Sequence, residues 1–378
     1  VDEFTPMLGT RGAGSVLPGS ARAASRKRLI GDDSPYPTRP FPERVGRGIP
    51  AEPDGSENTF FDAALPLLPG SYFSLLHPPP PPLYSPPLFS PHLKEPSMKL
   101  CEFLRPASLP AARDNLRELG VKGMILAGGT ALHFMQDHTP VTAVDITRLG
   151  LSYIRPDGDF YRIGATTPLS DIQRFRAPRW AMHEICRRIS THQIRNVSTL
   201  GGNICRVFPW ADLPVVLLAM NARMVVYSGH EDEFTADEYF ATQPAKRFLD
   251  GNILTSVKVP SLKAHHGFGS VKVVRTAAAF SMVTIAAVLE LDGAQIKSAR
   301  VAAGSAIPFP RRLPEVEAAL IGNEAATAVF QEAAAKAGAA APWRSREGMT
   351  PEYSRHLAEV SILDALERAA TFARGRAE

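Results

Sequence analysis

The chain has 378 residues, enough for two or three domains, and its 44% apolar and 21% charged content suits a protein with a sizeable core. A wholly disordered or collagen-like chain is excluded. The 42 basic and 38 acidic residues leave a net charge of +4, with no block long enough to read as a nucleic-acid tail.

Residues 1–97 hold 19 of the 34 prolines, including the run Pro78 to Pro82. Such density blocks helix and sheet hydrogen bonding, so this stretch is expected to be a largely unstructured extension, with a natural start at Met98; a Pro-rich recognition tail is the alternative. From Met98 the pattern changes to alternating strands and helices. Residues 98–103 read as a strand. Ser108 is a good N-cap for a helix carrying Leu109, Leu116 and Leu119, which Gly120 closes. Residues 121–126 form an apolar strand that runs into Ala127-Gly128-Gly129-Thr130. Further strands are expected at 141–146 and 160–165, short helices at 168–175 and 180–190, and a loop at 192–206. Residues 212–221 read as an apolar helix, followed by strands at 223–227 and 253–259. The last third, from about residue 267, gives long strands at 278–291 and 295–303 and then helices.

The longest apolar run, residues 277–289, contains Ser281 and Thr284 and stops at Glu290. It falls short of the roughly 18 apolar residues of a membrane span, so no transmembrane segment is expected and the cytoplasm is the expected compartment. Cys101, Cys186 and Cys205 lack C-x-x-C spacing and are too few for a disulfide framework or a four-thiolate iron–sulfur cluster. Cys186 reads as a buried small hydrophobe, and inert packing is the favoured reading of Cys205. His133, His138, His265 and His266 read as structural, and Asp145 as a turn cap.

Two glycine pairs stand out, Ala127-Gly128-Gly129-Thr130 and Thr199-Leu200-Gly201-Gly202-Asn203. Adjacent glycines allow positive φ and close approach of a ligand, and successive N–H groups can form a concave nest for an anion such as a phosphate. Either pair alone also fits an ordinary turn. The chain has neither a G-x-G-x-x-G after a strand nor a G-x-x-x-x-G-K-[ST], so a Rossmann or P-loop reading has little support.

The stretch Ile125-Leu126-Ala127-Gly128-Gly129-Thr130 resembles the first FAD-binding loop of the flavoprotein (medium) subunits of molybdenum hydroxylases, the carbon monoxide dehydrogenase and xanthine dehydrogenase family. Residues 193–205, which include Ile194-Arg195-Asn196 and Thr199-Leu200-Gly201-Gly202-Asn203, resemble the second loop. Val144-Asp145-Ile146 and Ile163-Gly164-Ala165-Thr166-Thr167 match the segment between them. Lys272 with Arg275, Ala303-Gly304 with Pro308 and Pro310, and Tyr353-Ser354-Arg355-His356-Leu357 continue the similarity to about Ala370.

The resemblance implies an α+β fold: a two-subdomain FAD-binding domain of the vanillyl-alcohol-oxidase type over 98–266, then a small α+β domain over 267–378 with a three-stranded sheet and helices. It implies noncovalent FAD, with contacts at Ala127, Gly128, Gly129, Thr130, Ala131, Leu132, Thr199, Gly201, Gly202, Asn203, Asp212, Leu254 and Lys272. It implies neither a catalytic side chain nor a metal ligand here. An iron–sulfur small subunit with [2Fe–2S] clusters and a large subunit with molybdopterin are the implied partners, and NAD⁺, a quinone or oxygen the implied acceptor. Two departures bear on the cofactor. The segment Arg206-Val207-Phe208-Pro209-Trp210 replaces a more usual small, hydroxyl-bearing run, so that Phe208 stands where a serine often helps to hold it. Ser270 stands where relatives often carry an aromatic near the flavin; Trp210 or Phe208 could substitute for it, and a core role for either fits at least as well. The rival readings are a free-standing flavin oxidase and a scaffold that has lost flavin.

Overall fold

The structure, a computed structural model, describes residues 99–134, 140–345 and 348–375. The Pro-rich stretch 1–97 lies outside the described residues.

The first layer contains β1 (Leu100–Leu104), α1 (Leu109–Leu119), β2 (Gly123–Leu126) and β3 (Val141–Asp145). Its three strands are parallel, in the order β1-β3-β2. Helix α1 begins where the Ser108 hydroxyl accepts a bond from the Ala111 N–H at 3.3 Å. It ends at Gly120, whose φ of +54° suits glycine. Ala112 and Leu116 of α1 are buried in one cluster with Val144, Ile146, Leu151 and Ile253.

An antiparallel sheet follows, in the order β4-β5-β8-β6-β7. Its elements are β4 (Ile154–Asp157), β5 (Phe160–Gly164), α2 (Leu169–Arg174), α3 (Met182–Arg187), α4 (His192–Val197), α5 (Leu200–Ile204), α6 (Leu213–Ala219), β6 (Arg223–Tyr227), β7 (Glu231–Thr235), α7 (Ala236–Phe240) and β8 (Ile253–Pro260). Every residue of α6 is buried, as its uniformly apolar sequence requires. This helix packs against strands of the next layer.

That layer contains β9 (His266–Val273), β10 (Val283–Asp292), β11 (Gln295–Gly304), β12 (Arg311–Arg312), α8 (Pro314–Leu320), α9 (Thr327–Ala334), α10 (Ala337–Ala340) and α11 (Pro351–Ala373). The resemblance implied a three-stranded sheet; the sheet has four strands, of which β9, β10 and β11 are long and two-residue β12 adds an edge. Helix α11 lies directly on β9. A Cβ at Gly267 would come within 1.9 Å of the Ala369 carbonyl oxygen, and one at Gly269 within 2.0 Å of that of Ala365. Alternate glycines on one strand face thus let the helix backbone touch the sheet.

Several elements differ from the sequence reading. The loop expected at 192–206 contains two short helices, α4 and α5. Strands β4, β7 and β9 were not expected: β7 carries three acidic residues at a sheet edge, and β9 is weakened in propensity by its two glycines. The strand expected from 278 begins at Val283, because 278–282 form a connection. No helix among the described residues is long and apolar enough to cross a membrane.

Candidate functional site

The two glycine-bearing segments meet. Strand β2 delivers Ala127 to Thr130 beyond its end, where the Leu126 carbonyl still accepts the Ile146 N–H at 3.0 Å. Gly128 lies against the end of α4, so closely that a Cβ would come within 2.0 Å of the Val197 carbonyl oxygen. The Thr130 and Ser198 hydroxyls are 2.8 Å apart and share a hydrogen bond. Of the four glycines, Gly129 alone has a positive φ, +67°. The chain then turns tightly through Ala131 and Leu132, with Leu132 N–H donating to the Gly129 oxygen at 3.2 Å.

The backbone donors of the two segments are used differently. In the Thr199–Asn203 segment, Thr199 caps α5 by accepting the Gly202 N–H on its hydroxyl at 3.1 Å. Leu200 N–H donates to the Thr167 oxygen at 3.0 Å, Gly201 N–H to Ala165 at 2.7 Å, and Asn203 N–H to Thr199 at 3.1 Å. The anion nest expected there is therefore closed by protein acceptors, because the pair folds as the first turn of a helix. In the Ala127–Thr130 segment, among the described residues, the N–H groups of Gly128, Gly129, Thr130 and Ala131 have no acceptor. Four successive part-exposed donors around one positive-φ glycine form a nest suited to a phosphate.

Two buried oxygens beside α5 lack a hydrogen-bond partner among the described residues, Thr166 Oγ1 and Asn203 Oδ1. An unsatisfied buried acceptor costs about 1–3 kcal/mol, which a ligand hydroxyl would offset. An anion nest beside acceptors for hydroxyl donors fits a nucleotide that carries both a pyrophosphate and a polyol.

The other expected contacts, Asp212, Lys272 and Leu254, have buried side chains. Asp212, at the N-terminus of α6, is buried and bonded to Lys272 Nζ at 2.7 Å, to the Ser281 hydroxyl at 2.6 Å and to the Thr284 hydroxyl at 2.6 Å. Lys272 also donates to the Arg188 oxygen at 2.9 Å. These two residues are brought to each other. Leu254 is buried in β8 opposite Val226, inside the core of the second layer. Ser270 is buried in β9 opposite Ala286. Arg195 of the I-R-N segment turns inward, donating to Gln173 Oε1 at 3.1 Å and to the carbonyls of Ile189 and Ser190 at 3.1 and 2.7 Å.

Sequence reasoning did not assign Ser198 or Thr166 to the site, although both lie within the quoted motif segments. Asp145 behaves as the turn cap expected. Its Oδ1 accepts the Thr147 N–H at 2.9 Å and hydroxyl at 2.6 Å, and Arg105 Nε reaches Oδ2 at 3.3 Å.

Comparisons with known proteins show the family. Residues 97–262 match the family model described as the FAD binding domain in molybdopterin dehydrogenase, and residues 271–369 match the CO dehydrogenase flavoprotein C-terminal domain. The glyceraldehyde dehydrogenase medium chain of Sulfolobus acidocaldarius is 30% identical over 257 residues, which are 65% of this chain and 90% of that one. The carbon monoxide dehydrogenase medium chain of Afipia carboxidovorans is 28% identical over 281 residues, covering 71% and 96%. Among solved structures, a chain of carbon monoxide dehydrogenase from Hydrogenophaga pseudoflava superimposes with a TM-score of 0.68 at 26% identity, covering 74% of this chain and 99% of that one. The chain thus carries an FAD-binding domain and belongs to the family of FAD-binding medium subunits of molybdenum hydroxylases, with the carbon monoxide and xanthine dehydrogenases.

Proposed function

We propose that this chain is the FAD-carrying electron-transfer subunit of a heteromeric molybdenum hydroxylase. It would receive electrons from the [2Fe–2S] clusters of a small partner subunit, while substrate is oxidised at molybdopterin on a large one. It would pass them to NAD⁺, a quinone or oxygen. The observation that carries this reading is the meeting of the two glycine-bearing segments, with an open N–H nest on one and two orphaned oxygens beside the other.

When bound, FAD supplies the redox chemistry, and the protein supplies binding and orientation. The N–H groups of Gly128, Gly129, Thr130 and Ala131 would hold the pyrophosphate. Thr166 Oγ1 and Asn203 Oδ1 would accept hydroxyl protons, and Thr199, Gly201 and Gly202 would shape the turn that presents Asn203. Residues 98–266 would form the flavin domain and residues 267–378 the domain that closes over it. Three unpaired cysteines favour a reducing compartment, in keeping with the cytoplasm.

The test is to express the chain alone and together with an iron–sulfur and a molybdopterin subunit. Alone it should bind FAD and oxidise no hydroxylase substrate. With both partners it should co-purify as one complex and reduce an electron-accepting dye when substrate is added. Substrate turnover by the chain alone would instead establish a free-standing oxidase.

A further inference from the structure

Two histidines and a glutamate that the flavin reading does not use come together on the sheet of the third layer. One ring nitrogen each of His265 and His266 and one carboxylate oxygen of Glu290 lie within 4.8 Å of one another. His265 sits in the turn between β8 and β9, which the His266 N–H closes on the Lys263 oxygen at 3.0 Å. His266 opens β9 directly opposite Glu290 of β10, so their side chains share one face of the sheet. Leu291 N–H donates to the His265 oxygen at 3.0 Å and fixes the turn against β10. The adjacent histidines read as structural in the sequence because the third member comes from another strand.

The carboxylate is oriented for a ligand. On its other side Glu290 lies opposite Ser298 of β11, whose hydroxyl donates to Oε2 at 3.0 Å. Oε1 is left towards His265 Nε2, 3.6 Å away. Its partner is the Lys297 ammonium at 2.8 Å, on a side chain 65% exposed. A cation is thus already held at this oxygen, by a flexible arm whose exposed ion pair contributes little and is readily displaced. His266 Nδ1 accepts the exposed Lys263 N–H at 3.2 Å, so a metal competes with one long hydrogen bond for the lone pair of that ring.

We propose that His265, His266 and Glu290 form a binding site for a divalent transition-metal ion, with Ser298 orienting the carboxylate and water completing the coordination. Two imidazoles and a carboxylate suit zinc, nickel or copper better than calcium or magnesium, which take oxygen ligands. Atoms bound to one tetrahedral ion at about 2.0–2.1 Å stand about 3.4 Å from each other. The His265–Glu290 separation is already close to that, and turning the rings about their side-chain bonds closes the remaining gap. The ion would pin the turn that enters β9 to the neighbouring strand β10.

The experiment titrates the untagged full chain with nickel(II) by calorimetry. Nickel is the probe because imidazole suits it, whereas the exposed Cys101 thiol would attract zinc. The chain has ten histidines, so variants assign the ion. Wild type should bind one equivalent here with micromolar affinity, and His265→Ala and Glu290→Gln should each weaken that binding about tenfold or more. Lys297→Met, which removes the competing ammonium, should tighten it by about two- to fivefold. His265 is exposed, so His265→Ala should leave the metal-free thermal melt unchanged and tests the site apart from the fold. Wild-type chain that takes up no nickel in the micromolar range would overturn the site, and so would nickel bound equally well by wild type, His265→Ala and Glu290→Gln. Either result leaves the FAD reading untouched, because none of these residues belongs to the glycine-bearing segments.

Discussion

The Asp212 carboxylate and the Lys272 ammonium meet at 2.7 Å with 4% and 5% of their side chains exposed. The pair joins the start of α6 to β9, and hence the second layer to the third. The two Asp212 oxygens are fully employed: Oδ2 takes Lys272, and Oδ1 takes Ser281 and Thr284. A buried pair of this kind adds little relative to apolar residues of the same volume, but removing one partner leaves an uncompensated buried charge. Lys272→Met should therefore cost about 3–5 kcal/mol in urea denaturation, and Asp212→Asn combined with Lys272→Met should recover a large part of that loss. A loss in the double variant equal to the sum of the Lys272→Met and Asp212→Asn losses would show that the two groups do not interact.

Three glycines in similar sequence settings should respond differently to alanine. Gly128 has the Val197 carbonyl oxygen 2.0 Å from its would-be Cβ, so Gly128→Ala must push two segments apart, at a cost of about 1–3 kcal/mol or more. Gly129 has room but a φ of +67°, so Gly129→Ala should cost about 1–2 kcal/mol and disturb the nest, weakening FAD. Gly202 is exposed and helical, with Thr199 Oγ1 at 3.0 Å as its one close neighbour, and alanine is a better helix former by about 1 kcal/mol. Gly202→Ala should stay within about 1 kcal/mol of wild type and keep FAD affinity within about twofold. Calorimetric titration with FAD, paired with thermal melts, measures both effects.

These differences mark how far the residues could be read without the fold. The Ala127–Thr130 segment was legible as a turn at the end of a strand, but its glycine pair alone fitted an ordinary turn, and its likeness to the family's first loop was what pointed to a cofactor. The Thr199–Asn203 segment has the composition of a loop, rich in glycine and polar residues. Its helix depends on acceptors at Ala165 and Thr167, which are distant in sequence. Asp212 and Lys272 were legible as a pair of family positions, but local pattern does not reveal that they face each other across 60 residues. One signal was available: Ser281 and Thr284 interrupt an otherwise apolar run, and both hydroxyls proved to be ligands of Asp212. Phe208 and Trp210 were visible as departures. Phe134 and Phe280 were not, because an aromatic residue in an apolar context reads as core, and only the fold brings their rings to 5.5 Å from each other and to 5.3 and 4.6 Å from that of Trp210.

Asp145 provides a pH test. Burial alone would raise its carboxyl, but the Thr147 hydroxyl and N–H, with Arg105 beside them, outweigh burial and hold it below the usual carboxylate range. A folded-state value below the unfolded one means that the group stabilises the protein above the unfolded value, near 4, and that this contribution is lost as pH falls through the folded value. The stability gap between wild type and Asp145→Asn should thus be present at pH 7, begin to shrink near pH 4 and vanish at lower pH. Urea midpoints across that range measure it; a gap that does not change with pH would mean that the turn needs an acceptor there but no charge.

The three thiols should separate by reactivity. Cys101 is exposed on β1, whereas burial pushes the Cys186 thiol up to about 12 and the Cys205 thiol, bonded to the Tyr239 hydroxyl at 3.7 Å, also up to about 12. The thiolate is the nucleophile, and a free thiol titrates near 8.5. At pH 8 a thiol at about 12 has roughly three orders of magnitude less thiolate than that, and its burial keeps the reagent away as well. Iodoacetamide at pH 8 should therefore modify one cysteine of the native chain quickly, and peptide mass spectrometry should place the label at Cys101. All three should react once the chain is unfolded in urea. Rapid native labelling of Cys205 would show that the segment carrying Phe208 and Trp210 opens readily, and would make that thiol a reactive neighbour of the flavin site.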